Sequence, residues 1–593
     1  MFICNPMDLN YQYQHLCLRD GAPLVFREAA DPSMIVFKGR YYLFPSMALG
    51  FYVSDDMVRW EYHRLPDSLP LYDYAPDVRV WGDWMYFSAS RKSGDCCFYR
   101  TQDPLTGPFK EFPAGFVFWD PNLLIDDDGR VYLYWGCSSV EPLYGVELAP
   151  DTMRQSGKPT ALFAANDEDH GYERPGNDHV PPFTPEEIEQ RYQGLLYFRK
   201  IDPSTLTDAD IRRLKRSVGN APFIEGPWVT KYHGRYYLQY AFAGTEYNIY
   251  GDGVYVADSP LGPFTLAANN PYSYKPGGFI TGAGHGSTME DRYGNWWHTS
   301  SMRISTQYMF ERRLGLWPAG FDRDGELFCN QRYGDWPMRV PSGKFDPWRE
   351  PEWMLLSYQK PVTASSFEEG HEPLLAADEN IRTWWRAADD TPGQTLTMDL
   401  GKVCAVHAVQ VNFADDGIQA PVPAPKQFHG EATQRRYIPG VPQSARWTLE
   451  GSVDGENWTM IDGCAADRPH SLVVRENGIS LRYLRLTVLE MPYGQPAAVS
   501  GLRVFGKRGG PLPGEPRFTV RRTSDLDMTV EMEADSAVGY NILWGHAPDK
   551  LYHSCLTFNS KQNIGALVKG QSYYVRVDAF NEAGITHGPV TAL

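Results

Sequence analysis

FKGRYYLF (37–44), VWGDWMYFSAS (80–90), DDGRVYLYWG (127–136), YHGRYYLQYA (232–241) and RYGNWWHTSS (292–301) are five versions of one phrase. In each, a turn carrying Gly separates β-rich runs, which is a hairpin signal. Tails of a second kind follow several copies: SDDMVRWEYH (54–63), DPLTGPFKEF (103–112) and DSPLGPFTL (258–266). One such unit cannot bury its own apolar face, so five in series predict an all-β fold built as a five-bladed β-propeller rather than a two-sheet sandwich. The propeller is expected over 1–341.

Each copy is opened by a polar residue. Asp120, Glu225 and His285 stand nine positions before Gly129, Gly234 and Gly294; Asp31 stands eight before Gly39, and Asp77 five before Gly82. The first strand of a blade lines the central axis, so these five side chains are expected to converge on one axial mouth. Between the third and fourth copies lies an insertion, 151–220, with two helix starts. Thr184-Pro185-Glu186-Glu187 is a capping box with Pro at the first helical position, and Thr207-Asp208-Ala209-Asp210 resembles it. His170 and His179 match no metal-ligand spacing and read as part of a surface loop. The insertion serves either the substrate mouth or an oligomer contact.

Composition narrows the ligand. Of 593 residues, 14% are aromatic, and 73 acidic against 56 basic side chains give a net charge of −17. Nucleic acid and anionic membranes are therefore poor partners. A neutral ligand read by aromatic faces and carboxylates fits better. The 9 cysteines include no C-x-x-C pair, which argues against a disulfide framework or a zinc ribbon. With no signal-like opening, reduced thiols in a cytoplasmic location are expected.

After a polar, Pro-containing link (342–353) the pattern changes. TLTMDLG (395–401), AVHAVQVNF (405–413), RWTLEGSVDG (446–455) and YLRLTVLE (483–490) predict a β-sandwich over 354–508. GPLPGEP (510–516) leads into a second sandwich over 515–593. Together these give a five-bladed β-propeller followed by two β-sandwich domains.

AADPSMIVFKGRYYLF, YAPDVRVWGDWMYF, WDPNLLIDDDGRVYLYWG, IEGPWVTKYHGRYYLQYA and GAGHGSTMEDRYGNWWHT, in this order, resemble glycoside hydrolase family 43 over about residues 25 to 330. The resemblance implies that Asp31 is the general base, Glu225 the general acid and Asp120 the residue that tunes and orients the acid. Inverting hydrolysis needs such an acid and base on opposite faces of the sugar. A carboxylate beside Glu225 is expected to raise its pKa by like-charge repulsion. The resemblance also puts Arg312 beside Asp120 and the sugar, and makes His285 either a contact to an axial cation or a hydrogen-bonded core residue. Asp77 is expected to buttress the axis at the substrate, and Trp119 and Trp228 either wall the sugar or belong to the blade core. The chemistry requires no cofactor; a structural or axial Ca2+ is the one ion the resemblance suggests. Asp126 to Asp128 read mainly as turn chemistry.

The segment 364–387 with the strands after it resembles a discoidin-like, coagulation-factor type C module, interrupted by an insertion near 414–445. SYYVRVDAFNEAG (572–584) resembles fibronectin type III. The expected activity is exo-acting, inverting release of a terminal sugar from plant-type oligosaccharides, as an α-L-arabinofuranosidase or β-xylosidase. β-Galactofuranosidase or galactosidase activity is the alternative on the same scaffold. A non-catalytic carbohydrate-binding protein is the rival of another class. A retaining sucrose-cleaving relative would carry Glu-Cys where Gly226 follows Glu225 here.

Overall fold

The computed structural model of the chain describes all residues except 19–22, 73–74, 92–93, 180–182, 220–221, 432–433 and 467. Among the described residues it is all-β apart from the helices of the insertion and three single 3-10 turns beyond 353. Five antiparallel sheets follow one another, and in each the main strands lie in chain order. They begin with the strands Ala30–Phe37, Asp77–Trp81, Asn122–Ile125, Ile224–Tyr232 and Thr281–Glu290. The five turn glycines, Gly39, Gly82, Gly129, Gly234 and Gly294, all take positive φ, as the hairpin phrase requires.

Apolar residues lie between consecutive sheets. Phe44, Phe51, Val78 and Phe87 join the first two. Phe98, Leu123 and Leu133 join the second and third. Tyr134, Val229 and Leu238 join the third and fourth. Val254, Met302 and Trp317 join the fourth and fifth. Met34, Leu43, Trp297 and Leu316 bring the fifth back onto the first. Polar contacts between the first strands follow the same circuit. Val78 N–H donates to Ser33 Oγ (3.0 Å) and Leu123 N–H to Asp77 Oδ2 (2.7 Å). Val229 N–H donates to Asn122 Oδ1 (2.8 Å) and Trp228 Nε1–H to the Thr288 carbonyl (3.1 Å). Met34 N–H donates to Ser287 Oγ (3.0 Å), which closes the ring.

Both predicted helices form, over Pro185–Arg199 and Asp208–Val218, each with its capping box complete. His170 and His179, read as surface-loop residues, are buried instead. His170 meets Glu173 at 3.0 Å, and His179 meets the Tyr274 hydroxyl at 2.8 Å. The reason is a neighbour that the local sequence does not name. Gly171 N–H donates to the Leu567 carbonyl, and Arg174 pairs with Asp527 (2.6 Å), so the C-terminal strands cover this segment.

Beyond 353, one connected sheet is built on two long, bent strands, Gln394–Phe413 and His470–Glu490, around Trp385, Leu396, Trp447 and Leu486. The last 77 or so residues carry a three-stranded and a five-stranded sheet. The polar link 342–353 is packed rather than loose, with Trp353 stacked on Phe2 at 4.2 Å and Trp348 on Tyr552 at 5.2 Å. A further sheet was not foreseen. The N-terminal strands Gln12–Leu18 and Leu24–Glu28 pair with Gln434–Tyr437 and His429–Glu431, from the insertion near 414–445.

Asn122→Leu tests the ring. It keeps volume but strands Val229 N–H and leaves Asp77 Oδ1 with Arg79 alone, at a cost of about 1–3 kcal/mol for a buried unpaired group. Thermal and urea unfolding are expected to show the protein clearly destabilised. Unchanged midpoints would mean that the ring does not hold the sheets together.

Candidate functional site

At one end of the ring the first strands bend. Asp31, Asp120 and His285 adopt φ of 46, 51 and 52°, and Gly226, next to Glu225, takes 57°. Pairing shifts register at Ala30/Ser33, Glu225/Trp228 and Gly284/Ser287, so the bends at Asp31, Glu225 and His285 are bulges that re-aim a side chain, whereas Asp120 stands just before its strand, Asn122–Ile125. The bends are held from outside. Asp31 N–H donates to Ser301 Oγ (2.8 Å), Asp120 N–H to Ser90 Oγ (2.9 Å) and His285 N–H to Asp252 Oδ1 (2.7 Å). A Cβ on Gly226 would lie 2.7 Å from the His285 ring, so only glycine admits that histidine beside the Glu225 bend.

These bends bring Asp31, Asp120, Glu225 and His285 to one cavity of about 650 Å3, with Trp119 and Arg312 also in its wall. His285 Nδ1 lies 3.5 Å from Asp31 Oδ1 and 3.6 Å from Glu225 Oε1. Those two oxygens are therefore no farther apart than the two contacts end to end. Asp120, Glu225 and the Cys137 thiol have ligand atoms within 4.8 Å of one another. Tyr250 OH donates to Glu225 Oε1 at 2.6 Å, and Cys137 Sγ stands 3.6 Å from Oε2.

Three expectations are corrected. Asp77 does not reach the cavity. In the second sheet the bend falls on Ala75 (φ 55°), whose N–H donates to Ser46 Oγ. Asp77, two residues further on, is spent on Asn122, Leu123 N–H and Arg79 inside the ring. Trp228 is likewise not part of this wall: it is buried beneath the bends, with the Arg79 guanidinium 3.5 Å over its ring. Arg312 lines the cavity but pairs with Asp31 (2.9 Å) and with Glu28 (2.6 Å), not with Asp120.

The expected direction of the acid's pKa is also reversed. Burial opposes the charge on Glu225, yet the His285 and Tyr250 donors outweigh it and hold Glu225 below the usual carboxylate range. Burial above all, together with the charges of Glu225 and Asp31 and against that of His285, pushes Asp120 up to about 7. Below about pH 7 a proton of this carboxylate pair is therefore favoured on Asp120 rather than on Glu225. Burial disfavours a charged His285, but Asp31, Glu225 and Asp120 lift it to about 10. His285 Nδ1 faces the carboxylates of Asp31 and Glu225. The nearby Asp120–Cys137–Glu225 cluster offers a thiol, raised well above its usual pKa by burial and by the two acids. Ca2+ takes 6–8 oxygen ligands, so this donor set does not suit it. The acidic turn is spent on cations of the chain, Asp126 and Asp127 on Lys231 and Asp128 on Arg130.

Several residues of the site were not singled out from the sequence. Cys137 lines the cavity beside Glu225, while Tyr250 and Glu28 stand behind it, touching Glu225 and Arg312. Arg174, Gly176, Phe183 and Arg191 come from the 151–220 insertion, which therefore walls the mouth; Gln434 comes from the segment near 414–445. Among the described residues no helix is long and apolar enough to cross a membrane.

The family model for glycosyl hydrolases family 43 matches residues 21–178 and 185–327, just over half of the chain. A xylosidase/arabinosidase of Humicola insolens is 26% identical over 359 residues, which are 52% of this chain and 98% of that protein. A β-D-galactofuranosidase of Aspergillus niger is 22% identical over 301 residues, 44% of this chain and 72% of its own. Among solved structures, a family 43 protein from Bacillus licheniformis covers 85% of this chain and 98% of its own at 14% identity, with a TM-score of 0.40.

An acid raised by burial keeps its proton below its pKa and loses it as pH rises through that value. In infrared difference spectra of wild type against Asp120→Asn, one protonated carboxyl band is expected to vanish with a midpoint near pH 7. A band absent at pH 5, or persisting at pH 9, would contradict the shared proton.

Proposed function

From the premise that the chain belongs to glycosyl hydrolase family 43, and is a glycoside hydrolase, we propose that it acts by inversion, with Asp31 as general base and Glu225 as general acid. The observation that carries this reading is the meeting of Asp31, Asp120 and Glu225 around His285 in one cavity. Asp31 takes a proton from water while the water oxygen bonds to the anomeric carbon. The glycosidic bond breaks with its electron pair on the leaving oxygen, which takes the proton of Glu225. Asp120 holds that proton in the free site and passes it to Glu225 as the sugar displaces water from the pair. The spacing of acid and base in inverting enzymes begins at ~6.5 Å, which the two contacts through His285 admit. His285 and Arg312 position Asp31, and Trp119 walls the sugar.

The five sheets and their closed circuit support reading 1–341 as a five-bladed propeller, its first strands at the hub. Residues 354–508 are read as a discoidin-like module and 515–593 as a fibronectin type III-like one. Residues 174–176, Phe183 and Arg191 from the insertion and Gly244 to Tyr247 line the same cavity as the acids, and a walled cavity of this kind suits release of a terminal sugar. Terminal α-L-arabinofuranose or β-xylose is the favoured substrate, in line with the name of the Humicola relative. A galactofuranoside is the alternative, in line with the Aspergillus one.

Glu225→Gln removes the proton donor but little volume. Turnover of 4-nitrophenyl arabinofuranoside and xyloside is expected to fall by about 100-fold or more, and that of the 2,4-dinitrophenyl glycosides far less, because a good leaving group needs no acid. Equal losses on both, or none, would remove Glu225 from the acid role. Aryl arabinofuranosides, xylosides, galactosides and galactofuranosides assayed side by side identify the sugar.

A further inference from the structure

We infer that Arg436, far outside the region that matches the family, is a positioning residue for the catalytic base. The inference rests on the reading of Asp31 as that base.

Four charges of alternating sign stand in one buried row. Arg436 Nη1 meets Glu28 Oε2 at 3.1 Å. Glu28 Oε1 accepts from Arg312 Nε (2.9 Å) and Nη2 (2.6 Å). The third arm of the Arg312 fork, Nη1, donates to Asp31 Oδ1 at 2.9 Å. Side-chain exposure along the row is 6%, 0%, 6% and 4%, so water does not screen it. Each arginine takes a different oxygen of Glu28. With both present, each Glu28 oxygen has a guanidinium donor of its own and Arg312 can face Asp31. Without Arg436, Glu28 Oε2 is left buried and short of a donor, and Arg312 is the only remaining cation of the row able to turn towards it. Arg312 then leaves Asp31, and the base loses its fixed orientation among His285, Tyr250, Asp120 and Glu225.

The chain builds this row deliberately. The strand Gln434–Tyr437 pairs with Gln12–Leu18, Leu16 opposite Arg436, and Gln12–Leu18 pairs with Leu24–Glu28. Gln14 Oε1 also accepts from Arg436. The same segment is pinned at its other end, where Asp415 pairs with Arg27 (2.7 Å) and accepts from Tyr13 OH (2.7 Å). Two residues before Arg436, Gln434 lies in the cavity wall itself. The insertion near 414–445 thus completes the site from the distal module, which makes that module part of the catalytic apparatus rather than only a device for recruiting substrate.

The test compares Arg436→Met, Arg436→Lys and Asp415→Asn in the full chain. Asp415→Asn loosens the same segment but leaves the row intact; Asp31→Asn reports on the base itself. A misplaced base slows chemistry by about 10- to 100-fold. For Arg436→Met, kcat is therefore expected to fall by that factor, alike for 4-nitrophenyl and 2,4-dinitrophenyl glycosides, with KM within about threefold of wild type. Sodium azide, a nucleophile with no proton to give up, is expected to restore part of the lost rate. Arg436→Lys is expected to recover much of kcat, and Asp415→Asn to keep it even where its melting temperature drops. Wild-type kcat in Arg436→Met, or equal losses in Arg436→Met and Asp415→Asn without azide rescue, would overturn the inference. If Asp31→Asn itself keeps full activity, the base assignment fails instead.

Discussion

The constraint on which the rest depends is the closed circuit of hydrogen bonds between the first strands of the five sheets. Each link ties a backbone or indole N–H of one strand to an acceptor on its neighbour, and the last link returns to the first strand. These groups are buried, so each would cost free energy if left unpaired. Closure also fixes how far each strand can slide, which sets the height of each bend above the ring. Asp31, Glu225 and His285 meet because bulges at that height turn them into one space, and Asp120 joins them from the turn of positive φ just before its strand.

Gathering three acids in a buried cavity is unfavourable, and the structure offsets it with specific cations. His285 serves all three, and Arg312 serves Asp31 with Glu28 as its counterweight. One proton on Asp120 removes the remaining like-charge conflict. The cavity is then closed by parts remote in the chain: the helical insertion, itself clamped by the C-terminal strands through Arg174 and Asp527, and the segment that carries Gln434. The accessory regions are therefore packed onto the hydrolase, with Trp336, Trp353, Phe505 and Phe580 in one shared core.

Much of this was legible in the sequence because local chemistry decided it. The turn glycines marked the hairpins, the two capping boxes marked the helices, and the eight- or nine-residue spacing before the glycine picked out Asp31, Asp120, Glu225 and His285. Asp77, at a spacing of five, was the odd one out, and the structure assigns it to the ring. What escaped is non-local. Arg312 finds Asp31 and Glu28 rather than Asp120 because the fifth sheet closes onto the first, a contact that spacing along the chain does not encode. The direction of the Glu225 pKa depended on Tyr250 and His285 as donors, and repulsion from Asp120 alone pointed the wrong way. The burial of His170 and the pairing of 434–437 with the N-terminal strands needed partners some 400 residues distant.

Proton NMR of the first sugar released from an aryl glycoside tests the proposed roles most directly. A base on one side of the anomeric carbon and an acid on the other predict that the first anomer has the configuration opposite to the substrate, with the other anomer growing only by later mutarotation. A first anomer that keeps the substrate's configuration would require a carboxylate bonded to the sugar, and Asp31 could not then be the residue that activates water.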